Sequence, residues 1–158
     1  MQHKLTRECL GLAGEYAVAS ELCRRHMYAQ LTLGNHKETD ILLETERRML
    51  RIQVKAKQSR EWPSISGLHR SDDFLVLVDF EGKGDTDRPD FYVLGLEGWK
   101  ALVHAEQQRQ PSIAVDDQWR VTWPDGWKGL NVMPGNVNAA KEQWGRISAR
   151  LVEDEYEG

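Results

Sequence analysis

Asp40 and the triplet Gln53-Val54-Lys55 bring together an acid, a neutral carbonyl donor and an ammonium group. Carboxylate and carbonyl oxygens are the donors that hard divalent cations prefer, and a lysine beside them can stabilise negative charge that develops on a substrate. Two strands separated by a short polar connection would juxtapose these groups. Side chains alternate across a strand, so Leu50, Ile52 and Val54 share one face while Arg51, Gln53 and Lys55 share the other. Along residues 39–45, Asp40 and Leu42 point one way and Ile41 and Leu43 the other. Paired through Glu46-Arg47-Arg48-Met49, the strands set Asp40 beside Gln53 and Lys55. Taken alone, this pattern also describes an amphipathic hairpin with its polar face in water.

Glu15 adds a further group. Residues 4–26 contain no proline, and Leu12, Val18, Ala19 and Leu22 recur at helical spacing, which predicts one long helix. Glu15 falls within that apolar stripe, where a carboxylate is costly unless something neutralises it. Gly11 and Gly14 lower helix propensity and allow close approach of a neighbouring backbone. Glu15 therefore either forms a buried ion pair with Lys55 or Arg51, or joins Asp40 and a backbone carbonyl around a divalent cation.

These elements continue along the chain. Residues 28–33 form a short strand closed by Gly34-Asn35, and residues 39–45 and 50–56 form the hairpin. Residues 57–72 are a polar loop. Residues 74–80 are nearly all apolar, as in a central strand buried on both faces. A strand at 91–96, a helix at 97–110 ended by Pro111, and a strand at 118–123 follow. Trp119, Val121 and Trp123 share a face of that last strand and read as core. A final helix at 139–151 is capped by Asn136 or Asn138. The fold class is α/β, a single domain over residues 1–152 with a central mixed sheet flanked by helices, followed by an acidic tail at 153–158.

With the elements in place, Gly14-Glu15-Tyr16-Ala17-Val18-Ala19-Ser20-Glu21-Leu22, Thr39-Asp40-Ile41-Leu42 and Ile52-Gln53-Val54-Lys55 resemble the successive motifs of the PD-(D/E)XK, or restriction-endonuclease-like, superfamily. They are similar in particular to its small bacterial and Holliday-junction-resolvase-like members. The likeness covers about residues 5–60. It implies an αβββαβ core and a metal-dependent endonuclease with catalytic residues Glu15, Asp40, Gln53 and Lys55. Two departures stand out. Gln53 occupies the position where most members have Asp or Glu, and Thr39 replaces the namesake proline. Gln supplies a carbonyl oxygen with one negative charge fewer, so Glu15 must contribute more of the charge that holds a metal.

The resemblance implies metal ligands from Glu15, Asp40, the Gln53 amide oxygen and the Val54 main-chain carbonyl. An all-oxygen set with two carboxylates selects Mg²⁺, with Mn²⁺ as a substitute. Lys55 would position a water or stabilise the transition state. The implied substrate is DNA, duplex or branched, with Arg51, Lys57, Arg60 and Arg70 on backbone phosphates. A homodimer would let a two-fold protein cut both strands. Trp62 either stacks on a base or anchors its own loop. The alternative is a catalytically inactive nuclease fold used as a DNA-binding or protein-interaction module.

Charge is unevenly distributed. Residues 1–70 carry 12 Lys+Arg against 8 Asp+Glu, and residues 71–158 carry 9 against 17. The basic half holds the candidate residues, which permits a nucleic-acid substrate on that face. The acidic half opens a third reading, an accessory or immunity-type protein that meets a basic partner. The histidines lack zinc-site spacing, and Cys9 and Cys23 read as free thiols. No apolar run is long enough for a membrane span, and the N-terminus has no signal-like apolar region, so a cytoplasmic location is expected.

Overall fold

The computed structural model describes residues 4–34 and 38–152. The expected acidic tail and Asn35 lie outside the described residues. Helix α1 (Arg7–Cys23) starts where the Thr6 hydroxyl accepts the Cys9 N–H at 3.2 Å. It stops where His26 takes the left-handed conformation (φ 64°) and the Met27 N–H turns back to the Leu22 carbonyl. These two caps trim the helix expected over 4–26. The stripe also needs correction: Leu12 is 44% exposed, and the buried positions are Gly14, Val18, Glu21 and Leu22. Gly14 sets this rotation. A Cβ there would meet the Ala56 Cβ at 2.8 Å, so only glycine lets the helix lie this close to the sheet.

The strands are β1 (Ala29–Leu31), β2 (Ile41–Glu44), β3 (Met49–Lys57), β4 (Trp62–Ile65), β5 (Asp73–Asp79) and β6 (Asp90–Leu94). Helix α2 (Leu96–Arg109) follows, then β7 (Ala114–Val115), β8 (Val121–Thr122), β9 (Leu130–Val132) and helix α3 (Gly145–Val152). The central sheet has the order β1-β2-β3-β5-β6. Its neighbours are antiparallel except β3 and β5, which are parallel with Gln53 opposite Leu75 and Lys55 opposite Leu77. The α/β class with a mixed central sheet is thus observed. Where the αβββαβ order puts a helix on the crossover into the parallel strand, residues 58–72 instead contain β4.

Two apolar layers cover the sheet. Helices α1 and α3 pack on Ile52, Val54, Val76, Val78 and Val93, with Trp144 and Ile147 closing that side. Trp62, Trp99, Val103 and Leu130 pack on Leu75, Leu77, Tyr92 and Leu94 from the opposite side. β5 lies between the layers and is buried from Phe74 to Asp79, as its apolar run predicts. Among the described residues, no helix is long and apolar enough to cross a membrane.

Three expectations fail for local reasons. The loop expected at 57–72 contains β4, whose alternation Pro63 and the left-handed Ser64 (φ 54°) interrupt and whose partner β9 lies far along the chain. The strand expected at 118–123 shrinks to Val121–Thr122, because the Asp116 carboxylate accepts the Gln118 and Arg120 N–H groups and Trp119 turns left-handed (φ 59°). Trp119 and Trp123 still pack against the core. The last helix begins at Gly145 instead of 139. Residues 134–140 form two short 3₁₀ turns, and residues 141–142 run along the outer edge of β6, with Glu142 N–H bonded to the Phe91 carbonyl.

Candidate active site

The site forms where β2 and β3 part. Asp40 lies one residue ahead of β2, and its N–H donates to the Ile52 carbonyl at 3.0 Å. Beyond that bond the side chain replaces the backbone ladder: Asp40 Oδ2 accepts the Val54 N–H at 2.7 Å. Thr32 pins the segment from β1, donating its hydroxyl to the Thr39 carbonyl at 2.6 Å and its N–H to the Asp40 carbonyl at 2.9 Å. The Asp40 carboxylate is therefore aimed by three strands. A residue's N–H and C=O leave a strand on the same side, so the Val54 carbonyl points along the same edge.

Glu15 reaches this edge from α1. Its pKa is raised to about 7, first by burial and then by a hydrogen bond and charge repulsion from Asp40, with Lys55 pulling the other way. Glu21, one and a half turns further on, contrasts with it. Burial would raise Glu21 as well, but Arg88 at 3.0 Å, Arg25 at 2.7 Å and Arg24 at 3.3 Å override that and hold it at about 2. One helix thus carries a carboxylate saturated with cations and another that faces a second carboxylate with only a lysine for compensation. Two carboxylates set against each other need a proton or a cation between them.

The structure brings Glu15, Asp40, Lys55 and the Val54 backbone together, while Gln53 lines a cleft beside them. Lys55 is exposed, whereas Gln53 is only 5% exposed. No group of three His, Cys, Asp or Glu side chains with metal-binding geometry occurs among the described residues. The Val54 main-chain carbonyl, on the same edge as the Val54 N–H that Asp40 accepts, offers a neutral oxygen beside the two carboxylates. This all-oxygen set fits Mg²⁺ or Mn²⁺.

Of the four residues expected on phosphates, Lys57 is corrected. It is 2% exposed, and its ammonium donates to Asp79 at 2.7 Å, Glu81 at 2.9 Å and the Ser59 carbonyl at 2.8 Å. It also lies 5.0 Å from the Trp62 ring. The layer built on β4 covers it, so Lys57 holds the fold together and does not meet a substrate. Trp62 belongs to the same cluster: it is 1% exposed, with its indole N–H on the Val78 carbonyl at 3.0 Å, and it anchors its own strand. Arg60 and Arg70 are exposed, and Arg51 is half-buried, 3.7 Å from Asp73.

On the sheet face that carries Gln53, a cleft of about 300 Å³ opens beside the site, lined by Thr39, Arg51, Gln53, His69, Arg70 and Asp73 among others. Its loop wall is held by Gly67 (φ 86°), where any Cβ would fall about 2 Å from the Trp99 ring. Asp73, which sequence reasoning passed over, lines this cleft with a buried Oδ1 that accepts no hydrogen bond. The available signal was an acid at the head of an otherwise apolar strand.

No family model matches the chain, and no curated protein matches it. Among solved structures, the chain is similar to a bacterial homing endonuclease, I-Ssp6803I. The two are 16% identical, the match covers 59% of this chain and 71% of that one, and the TM-score is 0.43.

Proposed function

We propose that this chain is a metal-dependent endonuclease of the PD-(D/E)XK type that hydrolyses DNA phosphodiester bonds at Glu15, Asp40, Gln53 and Lys55. The observation that carries the reading is the Glu15–Asp40 contact beside Lys55, where burial first and then Asp40 raise the Glu15 pKa. A bound Mg²⁺, or Mn²⁺, supplies Lewis acidity to the scissile phosphate and lowers the pKa of a water. Glu15, Asp40, the Gln53 amide oxygen and the Val54 carbonyl would hold it. Val54 N–H fixes the orientation of Asp40, and Thr32 fixes its backbone. Glu15 would hold the cation as a carboxylate, so its proton would have to leave first. Lys55, exposed at the mouth of the site, donates to the oxygen on which negative charge grows. Arg51, Arg60 and Arg70 would meet neighbouring phosphates and position the strand.

The test is cleavage of supercoiled, linear and branched DNA with Mg²⁺ or Mn²⁺, comparing wild type with Asp40→Ala, Lys55→Ala and Glu15→Gln. Cutting by wild type that is lost in the variants supports the reading; cutting that survives all three rejects it. One observation favours a second reading, a nuclease fold that binds without cutting. Gln53 leaves the site with two carboxylates among the described residues. Calorimetry separates the two, because a site retired from catalysis would not retain Mg²⁺.

A further inference from the structure

The two edges of the central sheet are finished differently. At the β6 edge the chain covers itself: Lys141 bridges to Tyr92, and the Glu142 N–H bonds to the Phe91 carbonyl. At the opposite edge β1 pairs with β2 alone, and no strand or bridge among the described residues pairs with its outer side. Thr32 gives its N–H to the Asp40 carbonyl, so by alternation Gln30 also faces β2. The N–H and C=O groups of Ala29 and Leu31 then point away from the sheet. An open edge is a template for another strand, and proteins that keep one free blunt it with charge or proline. Residues 28–33, Tyr-Ala-Gln-Leu-Thr-Leu, carry neither. Apolar surface accompanies the open edge. Tyr28 and Leu33, at the two ends of β1, are 76% and 60% exposed, and Leu12 and Tyr16 stand about half exposed on α1, which packs on β1. These four side chains leave roughly 500 Å² uncovered, a large part of the about 800 Å² that each partner gives to a stable complex.

We propose that β1 pairs with β1 of a second copy of this chain, antiparallel about a two-fold axis, so that two five-stranded sheets join into one of ten strands. The short strand selects the register. Ala29 lies opposite the partner's Leu31 and Leu31 opposite the partner's Ala29, which makes four backbone hydrogen bonds, and Gln30 meets the partner's Gln30 on the axis. A shift toward Leu33 fails because its left-handed backbone (φ 50°) leaves the strand. A shift toward Met27 fails because the Met27 N–H is already bound to the Leu22 carbonyl. The residue on the axis is what makes a second copy the fitting partner. An amide both donates and accepts, so it can bond its own copy, whereas a charged residue there would repel itself. The axis runs through the sheet, which puts both α1 helices, with their exposed Leu12 and Tyr16, on one face of the joined sheet.

The experiment is sedimentation velocity of the full chain in EDTA over a concentration series, comparing wild type with Gln30→Lys. Wild type should pass from monomer to dimer with a dissociation constant on the order of micromolar, and two like charges on the axis should weaken it at least about ten-fold. Gln30 is exposed, so the variant keeps the fold, which its melting curve verifies. A second variant reads the register. In a background of Cys9→Ser and Cys23→Ser, Gln30→Cys should form an intermolecular disulfide on oxidation, because facing Cα atoms of such a pair stand about 4.5 Å apart, within disulfide reach. Glu44→Cys, exposed on β2, should not. A chain that stays monomeric up to its solubility limit, as it would if its own terminal residues or a different protein covered the edge, overturns the proposal. So does a dimer that Gln30→Lys leaves unchanged, or a Gln30→Cys chain that does not crosslink. None of these measurements involves Glu15, Asp40 or a metal, so each outcome leaves the nuclease reading where it stood.

Discussion

Replacing Asp40 with Asn should return Glu15 toward an ordinary carboxylate. Of the three influences that raise Glu15 to about 7 from 4.5, burial is the largest, and the other two, a hydrogen bond and a like charge, both come from Asp40. Lys55 acts in the opposite direction. Asp40→Asn removes the like charge and leaves burial set against the lysine, so the Glu15 pKa falls. Lys55→Ala removes the lowering influence, so the pKa rises. The consequence for metal binding follows by linkage. With a pKa near 7, Glu15 in the metal-free protein is about 90% protonated at pH 6, half at pH 7 and about 10% at pH 8. Each cation bound should therefore release about 0.9, 0.5 and 0.1 proton at those pH values. Calorimetry in buffers of different ionisation enthalpy reads that release directly, and carboxyl-carbon NMR titration reads the pKa in wild type and in Asp40→Asn. The sign for stability is also fixed. A folded pKa above the unfolded 4.5 means that this contribution is fully present below pH 4.5 and is lost as the pH rises through about 7. A wild-type Glu15 that titrates near 4.5, or one indifferent to Asp40→Asn, would refute the reasoning.

Other consequences are as specific. Lys57→Ala should destabilise the fold by about 3–5 kcal/mol by leaving Asp79 buried without its partner, as read by urea denaturation. Arg60→Ala should leave stability within about 0.5 kcal/mol of wild type, since Arg60 is exposed, and should weaken DNA binding in a salt-dependent way in an anisotropy titration. Gly14→Ala should cost about 1–3 kcal/mol through its clash with Ala56 and should weaken metal binding by displacing Glu15, which calorimetry would detect. Gln53→Glu, a charge added at a buried position, should lower the melting temperature in EDTA, and Mg²⁺ should restore more of it than in wild type.

The elements nearest the site were legible because their signals are local. Residues 74–80 are nearly all apolar and supply most of the central strand, and β2 and β3 pair as the expected antiparallel hairpin. What escaped depends on residues far along the chain. Lys55 and Lys57 occupy the same face of β3 and look alike in sequence, yet the layer from β4 and β9 buries Lys57 and leaves Lys55 free. Glu15 and Glu21 both sit among apolar helix positions. Gly14 against Ala56 sets the rotation, and Arg88, from a distant turn, decides which carboxylate is neutralised. Asp73 became informative only when the crossover loop, held by Gly67 against Trp99, closed a cleft over it.

The most direct test of the central claim is a crystal of the chain soaked in Mn²⁺, with the ion located by its anomalous scattering. The account predicts one ion bound by Glu15 and Asp40, with the Gln53 amide oxygen or the Val54 carbonyl completing the protein ligands at about 2.0–2.2 Å, close to the distances of an octahedral Mg²⁺ site. An ion seated elsewhere, or none between Glu15 and Asp40 at saturating Mn²⁺, would contradict it.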